Sequence, residues 1–436
     1  MFHNMNKFRL LTTLLLLIRC SCLAQSYTSY FTGDTADLEA VPTPGYVLMG
    51  GSVENDSAMV WWLNRADGGD VLVIRTSGSS GYNNYLYSEL GVSVNSVETI
   101  KFNSRDASFD PYVIRRIKEC DALWIAGGDQ GVYTNYWKNS PVDSLINIAV
   151  KDRKIPIGGT SAGMAILGGA YFNALQGSVT SSQALANPLN SLVSIGRNDF
   201  LDIPFLKRVI TDTHFDNPDR RGRHLAFLAR LYQDSGFAWN GICSEEKTAV
   251  CINELGIGRV FGNSPSTEFA YFTKISCLAD SLPQVCAPGS PLTWKFAQGP
   301  VLVCKIPGTN SGSNTFDLRD WKTMTGGSWE YWKSNNGVFS STPASYPDCT
   351  LSSEEIQIQQ EGYSFPNPTN GKWRWYGMDG LQKIQLTDMM GRIYSIDSTS
   401  PEGEFDISGF PKGVYVAEPI EEQGSVYFRR VRVLLQ

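Results

Sequence analysis

Gly158-Gly159-Thr160-Ser161-Ala162-Gly163 stands between the apolar strand Ile155-Pro156-Ile157 and the helix-like run Met164-Ala165-Ile166-Leu167. A serine on a sharp turn from strand to helix, among glycines and an alanine, is how a chain exposes a nucleophilic hydroxyl. The small residues clear the approach of a substrate and relieve the turn. The helix start adds free backbone N–H groups suited to a developing oxyanion. The stretch therefore predicts an α/β fold with a serine hydrolase site at the carboxyl ends of its strands.

The surrounding sequence repeats this arrangement. Tyr46-Val47-Leu48-Met49 runs into Gly50-Gly51, Val71 to Ile74 into Thr76-Ser77-Gly78, and Ala122 to Ala126 into Gly127-Gly128-Asp129-Gln130. Val97 to Phe102 makes a further strand, and Tyr112 to Glu119 and Val142 to Lys151 are amphipathic crossovers. Continuous apolar strands joined by helices predict a parallel sheet covered on both faces, a three-layer sandwich, with its crevice beyond the strand ends. From about residue 263 to 350 Gly, Pro, Ser and Asn accumulate, and a β-rich extension of the same domain, 44–350, is expected.

The termini read differently. Lys7 and Arg9 precede the apolar run Leu10 to Ile18, and Cys22-Leu23-Ala24 offers small residues for signal peptidase. Residues 1–24 thus read as a secretory signal, too short for a membrane span. Residues 351–362, polar and acidic, read as a linker, and 363–436 as a small antiparallel β-sandwich from its period-2 strands and turn signals.

Composition bounds the chemistry. The chain has 436 residues, a net charge of −6 and no basic run, which argues against a nucleic-acid partner. Of nine cysteines, Cys20 and Cys22 lie in the leader, and Cys277 with Cys286 is the best local disulfide pair of an exported protein. Cysteine and histidine spacings suggest no metal site, and no cofactor is implied.

A serine needs a base, and outside the leader the chain holds only His214 and His224. His214 follows the strand-like Arg208 to Thr213 and so arrives at the crevice. His224 sits in the amphipathic run Arg220 to Leu231 and reads as solvated on its polar face. His214 is the expected base. A third group must orient its imidazole, and Asp216, Asp219, Glu245 and Glu246 are candidates that spacing does not separate.

Gly127-Gly128-Asp129-Gln130, Gly158 to Gly163, Asp212-Thr213-His214-Phe215, Arg221-Gly222-Arg223 and Glu246-Lys247-Thr248-Ala249 occur in this order. Together they resemble cyanophycinase and related serine peptidases of the dipeptidase E group, which have a class-I glutamine-amidotransferase-like fold. The resemblance covers about residues 44–335. It implies Ser161 as nucleophile, His214 as base, Glu246 as third member, and Gly128 and Ala162 as oxyanion donors. It also implies Gln130, Asp212, Arg221 and Arg223 as substrate-pocket residues, and a homodimer. Two pocket arginines would suit a carboxylate beside the scissile bond. The chain departs from the family pattern at Thr213, where glutamine is usual, in a longer stretch between His214 and Arg221, and at Ala226 in place of a third arginine. A glutamine amidotransferase of this fold would carry cysteine at position 161.

Phe365 to Gly371, Asp388 to Arg392, Asp406 to Tyr415 and Arg430 to Gln436 resemble the C-terminal sorting domain of type IX secretion in Bacteroidetes. That resemblance implies passage through the periplasm to the cell surface or beyond, with the secretion machinery as partner. The sequence thus predicts an exported serine peptidase acting beside aspartyl residues, on cyanophycin or β-aspartyl peptides. The alternative is a surface-displayed binding protein on a retired hydrolase scaffold.

Overall fold

The computed structural model describes residues 25–263, 268–277, 282–296, 298–347, 363–365, 371–376, 381–388, 392–400, 404–420 and 431–435. The leader 1–24, the linker 351–362 and the motif residues 366–370, 389–391, 430 and 436 lie outside the described residues. The chain divides into two compact units, 1–347 and 348–436.

Among its described residues the first unit holds seventeen strands: β1 Tyr27–Gly33, β2 Gly45–Met49, β3 Asp70–Arg75, β4 Ser96–Phe102, β5 Ala122–Ile125, β6 Ile157–Thr160, β7 Ala170–Phe172, β8 Ile195–Arg197, β9 Val209–Asp212, β10 Asn240–Ser244, β11 Ala249–Asn253, β12 Ile257–Phe261, β13 Phe269–Ile275, β14 Val301–Pro307, β15 Asn314–Asp317, β16 Ser328–Asn335 and β17 Val338–Ala344. Its helices are α1 Asp56–Leu63, α2 Gly81–Asn84, α3 Pro111–Glu119, α4 Gln130–Trp137, α5 Pro141–Lys151, α6 Ala162–Ala165, α7 Ser181–Ala186 and α8 Arg221–Ser235.

The strands form two sheets, not one. The first runs β1-β4-β3-β5-β6-β2-β11-β12-β15, and the second β17-β16-β14-β13-β10-β9-β7-β8. Only β4, β3, β5, β6 and β2 make the expected run of parallel neighbours. In the second sheet only β9 pairs in parallel, with β7 and β10. The β-rich segment after 263 is woven into both sheets: β13, β14, β16 and β17 extend the second, and β15 edges the first.

Side-chain alternation explains the layers. Tyr46, Leu48, Leu72 and Ile74 share one core with Ile117 of α3 and Ile146 of α5, and with Val209, Ile242 and Phe272 of the second sheet. Val47, Met49, Val71 and Val73, on the opposite pleat, pack under Met59 and Trp62 of α1. Ile210, Cys243 and Tyr271 turn to Leu225, Leu228 and Leu231 of α8. Strands buried on both faces need apolar residues at successive positions, which is why they read as continuous runs. Each large side chain removed from water contributes about 1.5–3 kcal/mol.

The second unit is antiparallel throughout its described strands. Tyr363–Phe365, Lys372–Tyr376 and Glu404–Asp406 form one sheet; Ile393–Asp397, Lys383–Asp388, Gly413–Ile420 and Val431–Leu435 form another. Trp373, Ile384, Leu386, Phe405, Ile407 and Tyr415 fill their common core.

One covalent expectation is corrected. Cys277 is disulfide-bonded, but Cys286 is a free, partly buried thiol. The pair suggested by proximity in sequence is therefore not made, and the partner of Cys277 lies outside the described residues. Among the described residues no helix is long and apolar enough to cross a membrane.

Candidate active site

Ser161 lies in the turn between β6 and α6 with φ 54° and ψ −116°. This backbone region is sparsely populated for a residue with a Cβ and stores strain, as expected of a nucleophile held out of its strand. Packing enforces it: a Cβ on Gly163 would stand 2.1 Å from the Ile125 carbonyl oxygen. The Ser161 N–H donates to Met49 O at 3.0 Å, tying the turn to the neighbouring strand. The following helix, α6, is a single turn of four residues.

His214 follows β9 and also has a left-handed backbone, φ 46°. Its Nε2 lies 2.8 Å from Ser161 Oγ, and its Nδ1 lies 2.7 Å from Glu246 Oε1. The hydrogen bond from His214 holds Glu246 below the usual carboxylate range; contacts with Asn217 and Ser52 add to this. Both side chains remain about a quarter exposed.

The geometry also separates Glu246 from its rivals. Glu245 accepts the Tyr271 hydroxyl and the Phe269 N–H, each at 2.7 Å, and burial raises its pKa. Asp216 accepts the Glu246 N–H at 2.9 Å, and Asp219 pairs with Arg221.

Two glycines unnoticed as site residues hold this arrangement. Gly50 O accepts the His214 N–H at 2.8 Å, and Gly51 O accepts the Lys247 N–H at 3.0 Å. Gly51 has φ 113° and lies against the imidazole. The signal available in the sequence was the Gly-Gly pair at the carboxyl end of a strand.

Of the expected oxyanion residues, Ala162 is buried directly after the serine, and Gly128 is exposed beyond β5. Gly127 is the closer neighbour, where a Cβ would be 3.5 Å from that of Ser161. The Tyr133 hydroxyl steadies this loop through Ala126 O and Gly127 O, each at 2.9 Å.

The expected substrate residues fare differently. Gln130 begins α4, half-buried behind its Asp129 cap. Asp212 and Arg223 are only 2 % and 3 % exposed and form an ion pair with each other. Burial alone would raise the Asp212 pKa, but Arg223 and His224 outweigh it and hold the carboxylate well below its usual range. A guanidinium enclosed in this way, with Phe172 and Phe227 on its faces, has no surface left for a substrate. Arg221 binds Asp219 at 2.7 Å and stacks over Phe339. His224, read as solvated, is fully buried, with Nε2 3.1 Å from Thr273 Oγ1.

A cavity of about 690 Å³ opens over Ser161 and His214. Its lining includes Ser52, Glu54, Asp56, Arg75, Tyr82, Tyr85, Glu89 and Gly127; Gln130, Asp212, Arg221 and Arg223 are not part of it. Arg75, at the end of β3, is its cation, bonded to Ser77 O and Ser79 O. Glu54 and Asp56 accept the hydroxyls of Tyr82 and Tyr85. Burial and then Glu54 push the Tyr82 phenol far up, so it stays protonated. Sequence reading missed this wall, although Arg75 and its loop stand where the crevice was expected. Among the described residues no group of His, Cys, Asp and Glu could hold a metal ion.

No known family profile matches the chain. It is 25% identical over 144 residues to a cyanophycinase of Trichormus variabilis, covering 33% of this chain and 44% of that one. It is 26% identical over 146 residues to the cyanophycinase of Geminocystis herdmanii (33% and 48%) and 26% over 176 residues to that of Synechococcus elongatus (40% and 50%). The chain spans about half the length of the curated relatives it matches. A solved structure of a peptidase from an acI-B1 actinobacterium is 15% identical, with a TM-score of 0.36, covering 52% of this chain and 90% of that one. The chain is thus similar to cyanophycinases over a third or more of its length, at about one identical residue in four.

Proposed function

We propose that this chain is an exported serine peptidase of the cyanophycinase kind. The observation that carries the reading is the relay from Ser161 Oγ through His214 to Glu246, with contacts of 2.8 and 2.7 Å. Ser161 attacks the amide carbonyl as His214 Nε2 takes its proton, and Glu246 stabilises the imidazolium. Backbone N–H groups of Gly128 and Ala162 receive the oxyanion. His214 then hands the proton to the leaving amine, and water releases the acyl-enzyme. The substrate is an amide beside an aspartyl residue, in cyanophycin or a β-aspartyl peptide.

The test pairs a serine-reactive fluorophosphonate with a panel of α-aspartyl and β-aspartyl dipeptides and cyanophycin. Labelling at Ser161, with turnover abolished by Ser161→Ala, supports the reading; an active preparation unlabelled at Ser161 refutes it. The enclosure of Arg223 and the outward pairing of Arg221 favour a second reading, a binding protein on a retired scaffold. Ligand binding that survives Ser161→Ala, with background turnover in both forms, would select it.

Export is supported by the leader-like residues 1–24 and the sorting-like unit 363–436. In the native host, deletion of 363–436 should trap the protein in the periplasm; unchanged surface delivery would refute the type IX route. We also propose a homodimer, to be checked by light scattering.

A further inference from the structure

Resting on the reading of His214 as base, we propose that Arg220 and Asp212 are positioning residues that clamp the Thr213 peptide from both sides and so hold His214 in place. Thr213 is buried, and its two backbone polar groups are taken by charged side chains. Its N–H donates to Asp212 Oδ1 at 2.9 Å, and its carbonyl accepts Arg220 Nη1 at 2.9 Å. The next residue is His214, whose left-handed φ of 46° costs on the order of 1 kcal/mol and needs outside support. Its own N–H is fixed to Gly50 O. The backbone leading into the imidazole is thus held at three successive points.

Arg220 is built for this task. Its N–H donates to Phe215 O at 3.0 Å, closing the loop that brings its side chain back beneath Thr213. Among the described residues no carboxylate stands within ion-pair distance of its guanidinium. Burial, and then the neighbouring Arg223, press its pKa down to about 10, while Asp212, Glu246 and Asp216 partly offset them. A half-buried cation kept without a paired carboxylate spends its charge on one carbonyl, where a charge-assisted bond is strong. On the other side Asp212 is immobilised by Arg223 through Nε at 3.1 Å and through Nη2. The acid and arginine that resemblance assigned to the substrate thus serve the base.

The test uses the full chain with Arg220→Met, which keeps the stem and removes the donors, and Arg220→Lys, which keeps one charged donor. Three quantities are measured: the rate of fluorophosphonate labelling at Ser161, kcat and KM on a turned-over peptide, and the NMR resonances of the His214 ring at fixed pH. A displaced imidazole loses alignment with both Ser161 and Glu246. The expected result is a fall of roughly 10- to 100-fold in labelling rate and kcat for Arg220→Met, with KM within about twofold. The His214 ring resonances should shift and broaden, and Arg220→Lys should recover part of both effects. A raised KM with kcat spared would overturn the proposal in favour of a substrate contact, and three unchanged quantities would overturn it outright. If wild type is never labelled, the peptidase reading fails. The NMR spectrum then still decides this inference: displaced or broadened His214 ring signals in Arg220→Met support the clamp, and unchanged ones refute it.

Discussion

Gly51 and His214 are in direct contact: a Cβ on Gly51 would stand 2.5 Å from His214 Nε2. The glycine is the floor on which the imidazole rests, and its φ of 113° disfavours any side chain. Gly51→Ala should therefore push the ring off Ser161. The expected loss is about 100-fold in kcat, with a stability cost of about 1–3 kcal/mol. Steady-state kinetics beside a thermal melt would check it; full activity in a folded variant would refute the contact's importance.

Glu246→Gln removes the acceptor charge while keeping the shape. Loss of the carboxylate that fixes the tautomer should lower kcat by roughly 10⁴-fold with little change in KM. Glu245→Gln, by contrast, should leave the chemistry alone, because Glu245 serves Tyr271 and Phe269. Equal losses in the two variants would show that the acid has been misassigned.

Asp212 carries a pH signature. Its folded pKa lies below its unfolded value of about 3.9. Its stabilising contribution is therefore complete above that unfolded value and lost as pH falls through the folded one. Denaturant melts should show little dependence on this group between pH 7 and 5 and a drop below about pH 4. Asp212→Ala strands the Arg223 cation in the core and should cost about 3–5 kcal/mol at neutral pH, with a flatter acid limb.

The cavity wall sets Glu54, Asp56 and Glu89, with the tyrosine rings, against Arg75. Aspartyl peptides that also carry an arginine should be turned over roughly two- to fivefold better than alanine analogues, by charge and ring attraction. Glu54→Gln with Glu89→Gln should erase that margin. Arg75→Gln should raise KM for acidic substrates more than Arg221→Gln does. Competition kinetics on matched dipeptides would decide both points.

Thiol accessibility checks the disulfide correction. Under denaturing, non-reducing conditions an alkylating agent should modify Cys286 and leave Cys277 untouched until reductant is added. Peptide mapping showing a Cys277–Cys286 linkage would restore the sequence expectation.

The serine turn and the histidine that meets it were legible because they obey local rules. A hydroxyl between glycines after an apolar strand has few other uses, and the choice of base lay between two histidines. The parallel strands β2, β3, β5 and β6 were legible because burial on both faces leaves continuous apolar runs. The pocket was not. Arg221, Arg223 and Asp212 were placed by resemblance, but whether an arginine faces a substrate or a buried aspartate depends on partners distant in the chain. The same holds for His224, whose polar neighbours in the helix gave no hint of Asp212 and Thr273 closing over it. The second sheet was hidden for a related reason, since a short apolar strand does not declare which sheet it will join.

The weave of the two sheets has a consequence for the newly made chain. Ser161 follows β6 of the first sheet, and His214 follows β9 of the second. Glu246 sits on the connection that crosses from β10 back to β11. Until the two sheets close on each other, Ser161 and His214 are not in hydrogen-bonding contact. If the chain is the peptidase proposed above, activity on refolding should return only when both sheets have closed, in step with the near-ultraviolet signal of the packed core.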